Sequence, residues 1–353
     1  MFRFRARTRP AVLLVVLVVG ALLLAACGGG DDDDSEAEGD EEVATTSTTE
    51  EPATTTTLPP VIAPLTGLPD ATATSPTRAA VVVKVDNVPG DGRPPQAGIE
   101  VADIVYEEPV EGTTRLAAVF HSTIPPRVGP VRSTRFLDPG IVWPIGGMYV
   151  YSGGTADKVA AIKASPMQTV DENGLQQAGA RQRDSQFRAP HNLFALMEPL
   201  LAWDQVQSHT PPPALFTFLA GGQPFNGTPA SKIAINNDTN AEYTWDAASG
   251  RWQRSALIDA TGQVKPHLAE SGTQIAPANV IVQKIGGVND KAQLVGDGQA
   301  WVCSQGKCTA ATWRRSDLGG VTEFVDANGA VLALTPGSTW VHLTIGDDPT
   351  ITP

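Results

Sequence analysis

Histidine and cysteine are scarce in this chain: five histidines and three cysteines in 353 residues. The histidines stand at 121, 191, 209, 267 and 342, and no two lie within five positions of each other. That spacing excludes a local two-histidine zinc motif. No HExxH helix, no GxSxG elbow, no P-loop and no SxxK paired with KTG occurs. The hydrolase and nucleotide chemistries that those motifs carry therefore have no support here. Basic residues are also few. Twenty-five Lys and Arg face thirty-eight Asp and Glu, for a formal net charge of −13. A nucleic-acid partner needs a basic stripe against its phosphates, so that class is excluded. Nothing in the sequence calls for a metal or a cofactor.

Long apolar runs are missing too. The longest, Ala11 to Ala26, has 16 residues, short of the roughly 18–20 that span a bilayer comfortably. It follows Arg3, Arg5, Arg7 and Arg9 and ends in Leu24-Ala25-Ala26-Cys27. A positive start, an apolar stretch and small residues at its end make a cleavable signal peptide over residues 1–26. The cysteine that follows identifies a lipoprotein signal, with Cys27 acylated and left as the first residue of the mature chain. The expected location is the cell membrane, lipid-anchored, on the extracytoplasmic face.

Residues 27–60 read as the acylated cysteine and a disordered tether. Between Gly28 and Pro60 there are eleven acidic residues, none basic, and repeated threonines. Such a segment cannot bury enough apolar surface to fold, and its like charges extend it. Without the four signal arginines the net charge is about −17, and without the tether about −6. The acidity belongs mostly to the leash. Cys303 and Cys308 remain as an even pair flanking Ser304-Gln305-Gly306-Lys307. A hairpin disulfide suits an oxidising compartment. A metal pair lacks further ligands nearby.

The rest reads as an α+β chain in two domains. Residues 61–213 form an N-terminal mixed α/β domain. Ala79 to Val85 is a buried strand, and Asp103 to Val110 and Thr113 to His121 form a hairpin about Glu111-Gly112. Pro109 must sit at an edge or bulge. Met148 to Tyr151 is a further strand. Ala156 to Ala164 and Leu193 to Trp203 have helical texture. After Pro211-Pro212-Pro213, residues 214–353 form a mainly β domain of short strands separated by turn signals. Five of the seven tryptophans, Trp245, Trp252, Trp301, Trp313 and Trp340, lie there, and on strands they are expected in the core.

Candidate site residues are confined to the first domain. Asp86 and Asn87 end a buried strand, where α/β sites tend to form. Asp86, Glu107 and His191 are the acid–base candidates. Against that, Glu107 faces a plain cross-strand pairing with Arg115, and a histidine after proline commonly fixes a loop. Arg132 and Arg135 in Gly129-Pro-Val-Arg-Ser-Thr-Arg135, with Arg188, suit an anion clamp; structural pairing with carboxylates is the rival. Arg115, Gly153, Gly154 and Asn192 complete the ligand-binding candidates.

Several of these residues lie in an ordered series of motifs. Leu65-Thr66-Gly67, Val85-Asp86-Asn87, Arg93-Pro94, Ala102-Asp-Ile-Val-Tyr-Glu107, Val110-Glu111-Gly112, Gly129-Pro-Val-Arg-Ser133, Gly153-Gly154 and Pro190-His191-Asn192 follow one another. The second half adds Trp245, Arg254, Asn279-Val-Ile-Val-Gln283, Gly296, Gly298, Trp313, Gly329 and Trp340. Together they resemble the YerB-like lipoproteins, the DUF3048 family. The resemblance implies a two-domain secreted bacterial lipoprotein on a polar tether, without an established reaction. It also implies an association with peptidoglycan synthesis. The chain departs from the pattern at Cys303 and Cys308, and in the Pro- and Gly-rich segment from Pro139 to Gly147.

Two readings of function follow. The favoured one is a non-catalytic lipoprotein of the cell envelope that binds peptidoglycan or a wall-synthesis enzyme. The other is an extracytoplasmic hydrolase or transferase acting on wall glycan, which requires Asp86, Glu107 and His191 to converge. Solute capture ranks behind both, because the β-rich second half does not resemble the paired lobes of such receptors.

Overall fold

β1 (Val81–Asp86, VVVKVD) is buried at every residue. A strand with no exposed face belongs inside a sheet covered on both sides. In the computed structural model β1 lies between β3 (Thr113–Phe120), antiparallel, and Met148–Val150, parallel. β2 (Ile104–Val110) pairs with β3 about the expected Glu111-Gly112 turn. The structure describes residues 60–90, 93–206, 210–237, 239–258, 261–286 and 294–353. The signal segment, Cys27, the tether up to residue 59 and His209 lie outside them.

These strands are the middle of an eleven-stranded sheet. From one edge its order is Thr228–Pro229, Lys307–Arg315, Gly296–Ser304, Asn279–Lys284, Thr339–Thr344, β2, β3, β1, Met148–Val150 and Gln168–Val170. Glu323–Val325 also pairs with Lys307–Arg315. Strands from either side of the Pro211-Pro212-Pro213 run thus share one sheet. The junction is the parallel pairing of β2 with Thr339–Thr344, from Ile104 opposite Thr339 to Glu107 opposite His342. Pro109 lies beyond the end of that pairing, so its missing N–H interrupts no ladder there.

Two layers cover this sheet. A five-stranded sheet, in the order Val264–Pro266, Arg251–Leu257, Ala241–Asp246, Lys232–Ile235 and Thr350–Thr352, packs on one face. Its Tyr243 and Trp252 share an apolar cluster with Val83, Val85, Leu116 and Trp340. On the other face Val82, Ala117, Tyr149 and Val341 pack with Ile141 and Ile162 of the helices Asp138–Val142 and Ala156–Lys163. Among the described residues helices are few and short, and strands dominate after residue 228. The α+β class is as expected.

Local texture misleads in one place. Leu193–Leu196, expected to be helical, is a strand between Arg127–Val128 and Arg181–Arg183, and a helix runs only over Met197–Leu201. Tertiary pairing overrides the apolar spacing there. Trp252, Trp313 and Trp340 are buried as expected, and Trp245 and Trp301 pack partly buried against the core.

Cys303 and Cys308 are directly opposed in a hairpin and joined by a disulfide. The turn between them, Gln305-Gly306, has positive φ at both residues, 50° and 67°, as a two-residue hairpin turn of the primed type requires. A Cβ at Gly306 would come within 2.6 Å of the Trp245 ring. The enclosed loop is small, so its loss costs about 2 kcal/mol on the chain-entropy account. The double variant C303S/C308S is expected to stay folded, with its urea midpoint lowered by about that free energy. Equilibrium unfolding followed by tryptophan fluorescence measures it.

Candidate functional site

Side chains alternate along a strand, so the hairpin of β2 and β3 sends its charges to opposite faces. Glu108 stands opposite Arg115, and Arg115 stands opposite Asp86. These three, with Lys84 two residues before Asp86, share one face. Glu107 and Thr114 point to the other. The cross-strand partner expected for Arg115 is therefore Glu108, and Glu107 stands opposite Leu116.

Glu107 is locked into the interior. Its Oε2 accepts from Arg254 Nη2 at 2.7 Å, with both side chains fully buried. Its Oε1 accepts from Thr239 Oγ1 at 2.6 Å and Thr114 Oγ1 at 2.9 Å. His342 Nδ1 lies 3.5 Å from Oε2 and bonds through Nε2 to Tyr243 OH at 2.7 Å. Arg254 also bonds His267, whose Nε2 reaches Gln96 Oε1 at 2.8 Å. The Arg254 guanidinium lies 4.6 Å from the Trp340 ring centroid. Burial alone would raise the Glu107 carboxyl; the charges of Arg254 and His342 and the two threonine hydroxyls bring it down to about 2. Burial lowers His342 to about 4.

A second buried set lies on the Asp86 face. Lys84 Nζ bonds Glu108 and, at 2.8 Å, Asp138 Oδ1. Thr134 Oγ1 and the Arg135 N–H donate to Asp138 Oδ2 at 3.0 and 2.5 Å. Two carboxyls share one ammonium, and burial with the nearby Asp138 charge pushes Glu108 up to about 7.

The sheet end beyond these groups is where the candidate residues meet. Asp86 Oδ2 accepts from Arg132 Nη1 at 2.9 Å and bonds His191 Nδ1. Asp86 is fully buried, Arg132 is 11% exposed and His191 is 30% exposed. Burial acts to raise the Asp86 carboxyl, and the Arg132 charge and the His191 bond more than offset it, holding the carboxyl below its ordinary range. When Nδ1 donates to Asp86, Nε2 of His191 is left for a ligand. The strand Met148–Val150, parallel to β1, leads into the same place: Ser152 N–H donates to Arg132 O, and Thr134 N–H to Gly153 O. Gly129 allows the loop to seat. A Cβ there would stand 2.8 Å from Leu193 O and the Phe194 ring.

The remaining candidates divide. Asn87 turns to the other face, donating to Thr114 Oγ1 at 2.8 Å and Glu107 Oε1 at 3.3 Å. Arg135 pairs with the exposed Glu111 at 2.8 Å. Asn192 holds its own loop, accepting from Arg183 and donating to the Asp184 and Phe187 carbonyls. Arg188 is exposed. A Cβ at Gly154 would meet Thr134 and Val159, whereas Gly153 is open. Among the described residues no three His, Cys, Asp or Glu side chains gather as a metal site. A separate groove of about 920 Å³, lined by Leu215, Phe216, Arg315, Val321 and Phe324 among others, includes none of the candidates. Its walls come from distant segments with no shared motif, so no sequence signal marks it.

Residues 65–210 match the family model for the DUF3048 N-terminal domain, described as a protein of unknown function, and residues 231–341 match that for its C-terminal domain. The chain belongs to the DUF3048 family. A curated relative, "Putative lipoprotein YerB" of Bacillus subtilis (strain 168), is 27% identical over 296 residues, 80% of this chain and 85% of that one. The crystal structure of the Bacillus subtilis YerB protein superposes with a TM-score of 0.67 at 23% identity, over 83% of this chain and all of the other. That likeness carries the fold. In this DUF3048 chain the motif segments Val85-Asp86-Asn87, Gly129 to Ser133, Gly153-Gly154 and Pro190-His191-Asn192, far apart in sequence, come together at one sheet end. Arg93, from the Arg93-Pro94 motif, joins them: its charge acts on Asp86.

Because Glu107 has its folded value near 2 against an ordinary 4.5, the unfolded chain binds its proton first on acidification. Its contribution is complete above pH 4.5 and lost as the pH falls towards 2. Glu107→Gln strands a buried guanidinium and is expected to cost about 3–5 kcal/mol at neutral pH. It also flattens stability against pH over that window. Urea titrations at a series of pH values check both.

Proposed function

We propose that this protein is a lipoprotein acylated at Cys27, whose folded body stands outside the cell membrane and binds a component of the cell wall or its synthesis machinery. The lipobox-like Leu24-Ala25-Ala26-Cys27 and the relative described as a lipoprotein support the anchor. Binding at the Asp86–Arg132–His191 site is supported by one observation above others. Of the three acid–base candidates, Glu107 is sealed beneath Arg254 on the opposite face, and Asp86 is committed to Arg132 and His191. What the site offers a ligand is therefore hydrogen bonds and positive charge.

Catalysis is the second reading, favoured by the Asp86–His191 contact. A carboxylate on Nδ1 fixes an imidazole with Nε2 outward, as in base-orienting dyads. Incubating the mature chain with muropeptides and finding new products in the wild type, absent in His191→Ala, would support it. Unchanged muropeptides would leave binding as the reading.

Two outcomes are expected of the binding reading. Cys27→Ala releases the protein from the membrane fraction, seen by fractionation and by loss of the acyl mass. The wild-type mature chain is retained on purified peptidoglycan or crosslinks to wall-synthesis enzymes in native membranes. No retention on either would sink the proposed wall role.

A further inference from the structure

Three arginines around Asp86 carry buried donors with no acceptor. They are Arg93 through Nε and Nη1, Arg115 through Nε, and Arg132 through Nε. Arg115 is only 5% exposed, and its Nη1 donates to Ser133 O at 2.8 Å. Buried charged donors without acceptors are expensive, more so than neutral ones. The carboxylates in reach leave these donors without a bond. Asp86 serves Arg132, His191 and the Val88 N–H. Glu108 gives Oε1 to Lys84 and has no bond at Oε2, and Glu111 is held by Arg135 and Lys158. The charges of Arg132, Arg93 and Arg115 all act on Asp86. Three guanidiniums thus act on Asp86, and with Lys84 set against Glu108 and Asp138, four cations meet three carboxyls. Burial, together with the Arg135 and Arg132 charges, lowers Arg115 to about 10 against the opposing pull of Asp86 and Glu108.

A planar carboxylate meets one guanidinium fork face to face. Donors arriving from three separate guanidiniums suit a tetrahedral group better, since its oxygens point in different directions. We propose that Arg93, Arg115 and Arg132 form a receptor for a phosphoryl group, with His191 Nε2 at its open rim. The proposal rests on the reading of the Asp86–Arg132–His191 site as the ligand-contacting surface, and names the chemistry recognised there. A phosphomonoester, a phosphodiester of a wall polymer or lipid-linked precursor, and free phosphate share that chemistry.

The test is calorimetric titration of the detergent-solubilised mature chain at fixed ionic strength with inorganic phosphate, glycerol 3-phosphate, glycerophosphoglycerol and acetate. Saturable binding of at least one phosphoryl probe, at least tenfold tighter than acetate, is expected. Arg132→Gln should weaken it at least tenfold, Arg115→Lys should weaken it too, and Arg314→Gln, on a distant strand, should leave it within twofold. Tighter binding of an ester than of inorganic phosphate would identify a covalently linked phosphoryl group; the reverse would identify free phosphate. Arg132 is on the surface of the cluster, so its variant keeps the test decisive if Arg115→Lys fails to fold, which near-ultraviolet circular dichroism reveals. No saturable phosphate binding, binding unaffected by Arg132→Gln, or acetate bound as tightly overturns the assignment. Wall retention without phosphate binding overturns this inference alone; phosphate binding without wall retention overturns the wall reading alone.

Discussion

The Glu107–Arg254 ion pair is the contact on which the two halves of the chain depend. It lies where the parallel pairing of β2 with Thr339–Thr344 ends, and it joins β2 to the five-stranded sheet. A buried pair gains little net stability over an apolar replacement, because desolvation opposes the attraction. Its value here is in specificity. Oε1 and Oε2 of one carboxylate collect donors from β3, from Thr239 and from Arg254. A shift of β2 by one residue would either put Tyr106 in its place and leave Arg254 without a carboxylate, or move Glu108 there and away from Lys84. Register and docking are set by the same charge.

That arrangement explains which parts of the fold were readable. The hairpin, β1 and most strands of the second half have local signals: alternation, apolar runs and turn residues. The junction of the halves has none. Thr339–Thr344 inserts beside β2 across more than 200 residues of sequence, and no local pattern encodes a partner so remote. Glu107 and Glu108 are adjacent acids in sequence, and only the pleat decides that one faces Arg254 and the other Lys84 and Arg115. The expected Glu107–Arg115 pairing failed on that one-residue difference. Leu193–Leu196 failed for the converse reason: its apolar spacing admits a helix, and its neighbours on both sides impose a strand.

The candidate site was legible in its residue types and illegible in its membership. Asp86, Arg132 and His191 stood out beside strand-end, Gly-Pro and Pro-His signals, and the structure brings them within bonding distance. Arg188 and Asn192 shared the same neighbourhood in sequence, yet one is exposed and the other secures a loop. Arg93 lay in a motif without any feature that marked its side chain. Buried exposure and unpaired donors are properties of the packed chain, not of a spacing.

The two faces of the central sheet use charge in opposite ways. Beneath the five-stranded sheet, the carboxylate of Glu107 has donors on both oxygens, and Arg254 bonds through all three of its nitrogens. Around Asp86 the arginines keep buried donors free. Both arrangements carry a desolvation cost, but only the first recovers it within the chain. A fold tolerates an uncompensated charge cluster where an outside group completes it. The first face therefore holds the halves together, and the second keeps donors unspent. The rigid sheet that the Glu107 pair registers fixes the spacing of Asp86 and Arg115, which stand opposite each other on neighbouring strands. Structure and site are thus coupled through a single hairpin, one acid on each side of it.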